Sequence, residues 1–251
     1  MVHPVGLWCH GLVNGVDHLG LEPLAAAVDA AIPADLAHAW AEHVAASPVL
    51  VARQGVFRAQ GAVFAYQLSF RSQDRSDPES WTSDVHERAT SHVLRATFAR
   101  DDLESLVGGR HVMVRCPRGY LVDQLPLPPR PDRLIVELPP GLEPDAQVRA
   151  GIADLRARGF RFALPAFSDQ PEQRQLLPLV DFVKIDVRDL DVEGVPVVRV
   201  ARSAGATLVG EFVERPEQLA LAQDLGFTLF QGSYLGRATT VDRAAARPVG
   251  L

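Results

Sequence analysis

The chain has 251 residues, 47% of them hydrophobic, and a formal net charge of -6. That length suits one large domain or two small ones, the apolar content suffices for a closed core, and the negative charge argues against a generic nucleic-acid or anionic-membrane surface. Two cysteines, Cys9 and Cys116, without CxxC or zinc-finger spacing, argue against a disulfide scaffold, and no apolar run is long enough to span a bilayer, so a cytoplasmic protein with no membrane partner is expected.

Residues 1–48 carry the weakest pattern: a Gly-rich WCHGLVNGVDHLG, then PADLAHAWAEHVAAS, which reads as a helix behind Asp35 and ends at Pro48. They are expected to form an N-terminal extension, with a single domain over 49–245. VLVARQGVF and AVFAYQLSF are β-branched and aromatic runs separated by Arg58 to Gly61, the signature of a hairpin. A polar linker, SQDRSDPES, follows, and residues 83–106 place apolar side chains at helical spacing behind Ser83 or Asp84 as cap. HVMVRC, LIVEL, FRFALPAF, FVKIDV, ATLVGEF and FTLFQG then read as strands three to eight. PDAQVRAGIADLRARG, PEQRQLLPLV and RPEQLALAQDLG read as the helical connectors between them, LPLPPRPD as a stiff surface connection, and VDRAAAR as solvated charge. Eight strands with helical connectors predict an α/β fold of the (β/α)8, TIM-barrel type. The structural alternative, a doubly wound open sheet, lacks support for a dinucleotide site because no glycine-rich phosphate loop follows the first strand.

The chemistry concentrates between Phe182 and Arg237. There FVKIDVRDL, LVGEFVERPEQL and LGFTLFQGSYLGR repeat one unit, an apolar run with an acid or amide at its carboxyl end. Strand ends of this kind deliver polar side chains to the rim where a barrel keeps its chemistry. Lys184, the one lysine of the chain, lies in the first of these units.

From Val49 to Arg237 the ordered series RQGVF, YQLSFR, LIVEL, FVKID, EFVE and FQG resembles the EAL domain family, the phosphodiesterases of the bacterial second messenger cyclic di-GMP. RQGVF and YQLSFR are most similar to the EAL half of proteins that join an EAL to an HDOD domain, and the resemblance implies that the HDOD half is absent here. An opening strand antiparallel to the rest also suits the EAL barrel. In the family, carboxylates and an asparagine at strand ends hold divalent cations that activate a water and stabilise charge on the phosphodiester. By this resemblance the retained positions are Glu137, Lys184, Asp186, Glu211, Glu214 and Gln231. Four others are altered: Gln67 stands for the signature glutamate, Arg115 for the asparagine, and Pro165 and Ala166 for an aspartate pair. An amide is a poor ligand, and a fixed guanidinium repels a metal. Arg71 stands where the family's arginine meets a substrate phosphate.

The residues therefore imply no metal, no cofactor and no catalytic role. An acidic rim without metal needs another cation, and Arg115 is expected to pair with Glu137 or Glu211. The leading reading is a catalytically inactive EAL-like signalling or scaffolding domain. Its first rival is a metal-independent cyclic di-GMP receptor using Arg71, Arg115 and Lys184. Its second is an active phosphodiesterase, which alone would require Mg or Mn. A protein partner fits the leading reading, cyclic di-GMP the rivals, and the resemblance allows a homodimer. Against these stands a rim network that binds nothing. Gln54 and Gln67, on paired strands, read as inward-facing hydrogen-bonding residues. Cys9, His10 and His18 match no strong metal motif; His38, His43, His86 and His92 read as exposed helix residues; Ser72 and Ser168 lack a base.

Overall fold

Strands begin where the apolar and β-branched runs do. The computed structural model describes residues 48–71, 83–98, 103–190 and 194–244. The expected N-terminal helix, Cys9, His10, His18, His38, His43, the SQDRSDPES linker and Ser72 lie outside the described residues. Pro48–Ala246 form one compact unit. It opens with β1 (Pro48–Arg58) and β2 (Val63–Arg71), the predicted hairpin, with Gln54 opposite Gln67. Six strands parallel to β2 follow: β3 (His111–Arg115), β4 (Leu134–Glu137), β5 (Arg161–Leu164), β6 (Phe182–Asp186), β7 (Thr207–Glu211) and β8 (Leu229–Phe230). β1 pairs antiparallel with both β2 and β8 and so closes the eight-stranded barrel.

Seven helices are described: α1 (Ser83–Phe98), α2 (Leu103–Val107), α3 (Arg118–Leu121), α4 (Ala146–Ala157), α5 (Pro171–Leu176), α6 (Gly194–Ser203) and α7 (Pro216–Asp224). Their ends follow local chemistry. Asp145 caps α4 by accepting from the Val148 amide at 2.8 Å, and Pro171 and Pro216 occupy first-turn positions where a missing N–H costs nothing. Gly151 lets α4 lie against α3, since a Cβ there would meet the Leu121 carbonyl oxygen at 1.8 Å.

Three expectations are corrected. The helix expected over 83–106 ends at Phe98, with the separate α2 beyond. His86 and His92, expected to be exposed, are half-buried because α1 lies over β2; His92 packs edge-on to Phe70 at 6.5 Å. The VDRAAAR stretch, expected to be solvated charge, begins within a ninth strand, β9 (Thr239–Ala244), which pairs antiparallel with Pro48–Arg53 of β1.

The core has two parts. Between barrel and helices lies a large cluster that includes Leu68, Val114, Val136, Phe162, Ile185 and Phe230. Inside the barrel, each of the eight closing strands gives one residue to a dry layer: Val56, Ala65, Met113, Ile135, Ala163, Phe182, Val209 and Leu229. Side chains alternate along a strand, so the same face recurs every second residue. Two residues onward on the parallel strands and two back on β1, that face carries Gln54, Gln67, Arg115, Glu137, Pro165, Lys184, Glu211 and Gln231. Thus the barrel gathers these eight residues in one layer at the carboxyl ends of its parallel strands.

Candidate functional site

Lys184 is at the centre of that layer. Its Nζ lies 2.7 Å from Glu137 Oε2, 2.8 Å from Glu211 Oε1 and 3.1 Å from Gln67 Oε1. An ammonium has three donors, so these contacts use them all. Arg115 completes the group: its Nε donates to Glu137 Oε1 at 2.9 Å and its Nη2 lies at the same distance. The pairing of Arg115 with Glu137 is the one expected from sequence, whereas Glu211 is taken by Lys184.

Burial sets the electrostatics. The Glu137 side chain is 0% exposed and that of Lys184 2%, against 13% for Glu211 and 52% for Arg115. Burial pushes the Glu137 carboxyl toward its neutral form, but Lys184 and then Arg115 outweigh it and hold the pKa below the usual carboxylate value. Burial likewise opposes the Lys184 charge, and Glu137 and Glu211 reverse this, raising its pKa above that of a free lysine. Two acids and two cations thus neutralise one another. Cys116, buried in the cluster between barrel and helices, has its thiol pKa pushed up by burial and by Glu137, which keeps it protonated.

The other predicted residues take separate places. Asp186, one layer above Lys184, is gripped by Arg188, whose Nη2 is 2.6 Å from Asp186 Oδ2. Gln231 donates from Nε2 to Gln54 Oε1 at 3.0 Å, while its own Oε1 is buried without a hydrogen-bond partner. Glu214 is exposed past the end of β7. Pro165 and Ala166 follow β5; Ala166 has a φ of 47° and its amide faces Glu211 Oε2 at 3.4 Å. Asp169, the nearest acid beyond, is tied to Arg174 at 2.6 and 2.7 Å. Arg71 ends β2 opposite Leu50, and its side chain lies outside the described set.

Above this layer a cavity of about 1050 Å³ opens between β2, α1 and the loops after β3, β4, β7 and β8. Its walls include His86, Glu87 and Phe212, none of them among the site residues expected from sequence. Phe212 is 46% exposed with a φ of 56°, and the Arg188 guanidinium lies 4.1 Å from its ring centroid. The signal available in sequence was an aromatic directly after the strand-end Glu211, where strand alternation turns a side chain away from the barrel interior. Among the described residues, no group of three or more His, Cys, Asp and Glu side chains is arranged to hold a metal ion, and no helix is long and apolar enough to cross a membrane.

Comparison with known proteins agrees with this architecture. Cyclic di-GMP phosphodiesterase CdgJ of Vibrio cholerae is 25% identical over 202 residues, 79% of this chain and 46% of that protein. The uncharacterized protein YuxH of Bacillus subtilis is 24% identical over 192 residues, 74% of this chain and again 46% of the relative. The chain therefore spans about half the length of the curated relatives it matches. Among solved structures, BlrP1 of Klebsiella pneumoniae, in a complex with calcium and cyclic di-GMP, superposes with a TM-score of 0.60 at 21% identity, covering 80% of this chain and 59% of BlrP1. At that identity the superposition speaks to the fold, a closed eight-stranded barrel. Residues 119–238 match the family model described as the EAL domain, and the chain is homologous to cyclic di-GMP phosphodiesterases.

Proposed function

We propose that this chain is a non-hydrolysing EAL domain of a bacterial cytoplasmic signalling system, working as a signalling or scaffolding module toward a protein partner. One observation carries the reading: the acids of the rim are already neutralised from within, Glu137 by Lys184 and Arg115 at 2.7 and 2.9 Å, Glu211 by Lys184 at 2.8 Å. The donors present do not fit a divalent cation. An incoming metal would have to displace two cations from Glu137, would meet an amide at Gln67 whose oxygen Lys184 already uses, and would find no side-chain ligand at Pro165 or Ala166. Asp169 supports the same view, because Arg174 holds both its oxygens. With no ligand set for the cation, the rim supplies neither an activated water nor a clamp for phosphodiester charge.

The test is incubation of purified protein with cyclic di-GMP and magnesium or manganese, followed by chromatography. No linear dinucleotide above background is expected; metal-dependent turnover abolished by Glu137→Ala would overturn the proposal.

A second reading, a metal-independent cyclic di-GMP receptor, is favoured by the cavity of about 1050 Å³ and by the half-exposed Arg115 at its edge. In that reading Arg71 and Arg115 meet the phosphates. Lys184 fits it less well, since its donors are engaged with Glu137, Glu211 and Gln67. Calorimetry in chelator separates the two readings: saturable heat lost in Arg71→Ala favours the receptor, and absence of heat favours the scaffold.

A further inference from the structure

The dry layer inside the barrel has a second side. Two residues back along the parallel strands, and two onward along β1, its face includes Arg58, His111, Arg161 and Thr207, at the amino ends of the parallel strands. The carboxyl layer joins acids to cations; this one, among the described residues, holds two guanidiniums that no carboxylate pairs. The acids nearest in sequence to these strand starts are each held by another arginine: Asp132 by Arg130 at 2.9 Å, Asp181 by Arg156 at 3.2 Å, and Glu104 by Arg133.

Aromatic rings fix the places of the cations. The Arg58 guanidinium lies 5.0 Å from the Phe64 ring centroid and that of Arg161 5.8 Å from Phe182, and the two rings pack 5.7 Å apart. His111 meets Phe64 edge-on at 5.3 Å. Arg161 Nη2 lies 3.1 Å from His111 Nδ1 and 3.2 Å from Nε2, whereas its Nε and Nη1, and the whole guanidinium of Arg58, have no hydrogen-bond partner among the described residues. Arg58 is exposed, and Phe64, His111, Arg161 and Thr207 each keep part of their surface in solvent, so an occupant can reach them. Burial and then the Arg161 charge lower the His111 pKa, with Arg133 acting the same way and Asp132 opposing. Two guanidiniums and a titratable imidazole gathered round one pair of rings repel one another when the imidazole is protonated, and an anion among them removes that cost.

We infer that the amino end of the barrel binds a dianionic oxyanion, a phosphate or phosphate monoester, between Arg58, Arg161 and His111. Guanidiniums match such a group with paired N–H donors, the imidazolium adds a third positive charge, and Thr207 offers a hydroxyl. Three positive groups favour a dianion over a single carboxylate. The site lies at the opposite end of the barrel from the Lys184 network, and the inference stands apart from the reading of that rim.

The experiment titrates the whole chain with sulfate, in chelator and at constant ionic strength, because sulfate stays dianionic throughout the pH range used. The His111 ring signal in nuclear magnetic resonance follows it, identified by its loss in His111→Gln. Saturable shifts are expected, with affinity rising as pH falls from about 8 to about 5.5, since an occupied site holds the imidazolium and raises its pKa. Arg161→Gln should weaken binding by about tenfold or more. The exposed Arg58→Gln, which leaves the core untouched, should weaken it by about threefold. Inorganic phosphate and N-acetyl-O-phosphoserine amide then distinguish the two sources, the tighter binder marking either the free ion or a phosphorylated organic group. Shifts that do not saturate, affinity that does not change with pH, or binding indifferent to both arginine substitutions overturns the inference; so does acetate binding as tightly as sulfate.

Discussion

Lys184→Met removes the central cation while keeping an unbranched apolar stem. The Glu137 side chain is 0% exposed, and the substitution leaves it with Arg115 alone, a half-exposed partner. Removing one member of a buried ion pair costs about 3–5 kcal/mol, because a desolvated charge is left behind. Arg115→Ala is milder: that side chain is 52% exposed, solvent screens its attraction, and Lys184 stays in place, so about 1 kcal/mol is expected. In a domain of this size each kcal/mol moves the melting temperature by roughly 2–4 °C, so the two variants should fall by about 10 °C and about 3 °C. Urea unfolding gives the corresponding free energies. The pH dependence follows from the two shifts. Glu137, with its folded pKa depressed, contributes stability present above the ordinary carboxylate range and lost as pH falls through its folded value. Lys184, with its folded pKa raised above the ordinary 10.5, contributes fully below that value and loses its share only as pH climbs through the folded one. In Lys184→Met, burial becomes the main influence on Glu137 and favours its neutral form. The deficit against the parent should therefore narrow as pH drops from about 7 toward about 4. If Arg115→Ala proves as damaging as Lys184→Met, or the deficit does not change with pH, the assignment of Lys184 as the keystone is wrong.

Two further outcomes probe the backbone of the rim. Gly232→Ala should destabilise by about 3 kcal/mol or more, since a Cβ would stand 2.1 Å from the Val213 carbonyl oxygen and 2.3 Å from its nitrogen; chemical denaturation checks this. Phe212→Gly should leave stability within about 1 kcal/mol of the parent, relief at positive φ offsetting the lost stacking on Arg188 and unfolded-state entropy; thermal melts check this.

The barrel was legible because each of its strands is a short apolar run ending in turn chemistry, and because alternation puts Gln67, Glu137, Lys184, Glu211 and Gln231 on one interior face. The Arg115–Glu137 pair was legible for a physical reason as well, since buried acids require a cation. Edges were harder. FRFALPAF reads as one run, yet β5 stops at Leu164, where Pro165 has no N–H to donate and Ala166 turns to a φ of 47°. β9 was missed because TTVDRA shows no apolar alternation in sequence; its pairing with β1 supplies what its own pattern does not. Phe212 carried a signal of its own, directly after Glu211, but its stack with Arg188 was missed because it joins the ends of two strands, β6 and β7, and has no signature within either segment. Gln231 was read as a retained family position, but only the packed structure reveals that its amide oxygen is buried without a hydrogen-bond partner.

The central claim is that Lys184 and Arg115 occupy, electrostatically, the place of a divalent cation. Electron paramagnetic resonance of Mn2+ titrated into the protein measures this directly, because bound and free manganese give different signals. The wild-type chain should leave the free-ion signal unchanged, whereas the combined variant Gln67→Glu, Arg115→Asn, Pro165→Asp and Ala166→Asp should diminish it in a saturable way. Stoichiometric manganese binding by the wild-type chain, lost on Glu137→Gln, would contradict the account.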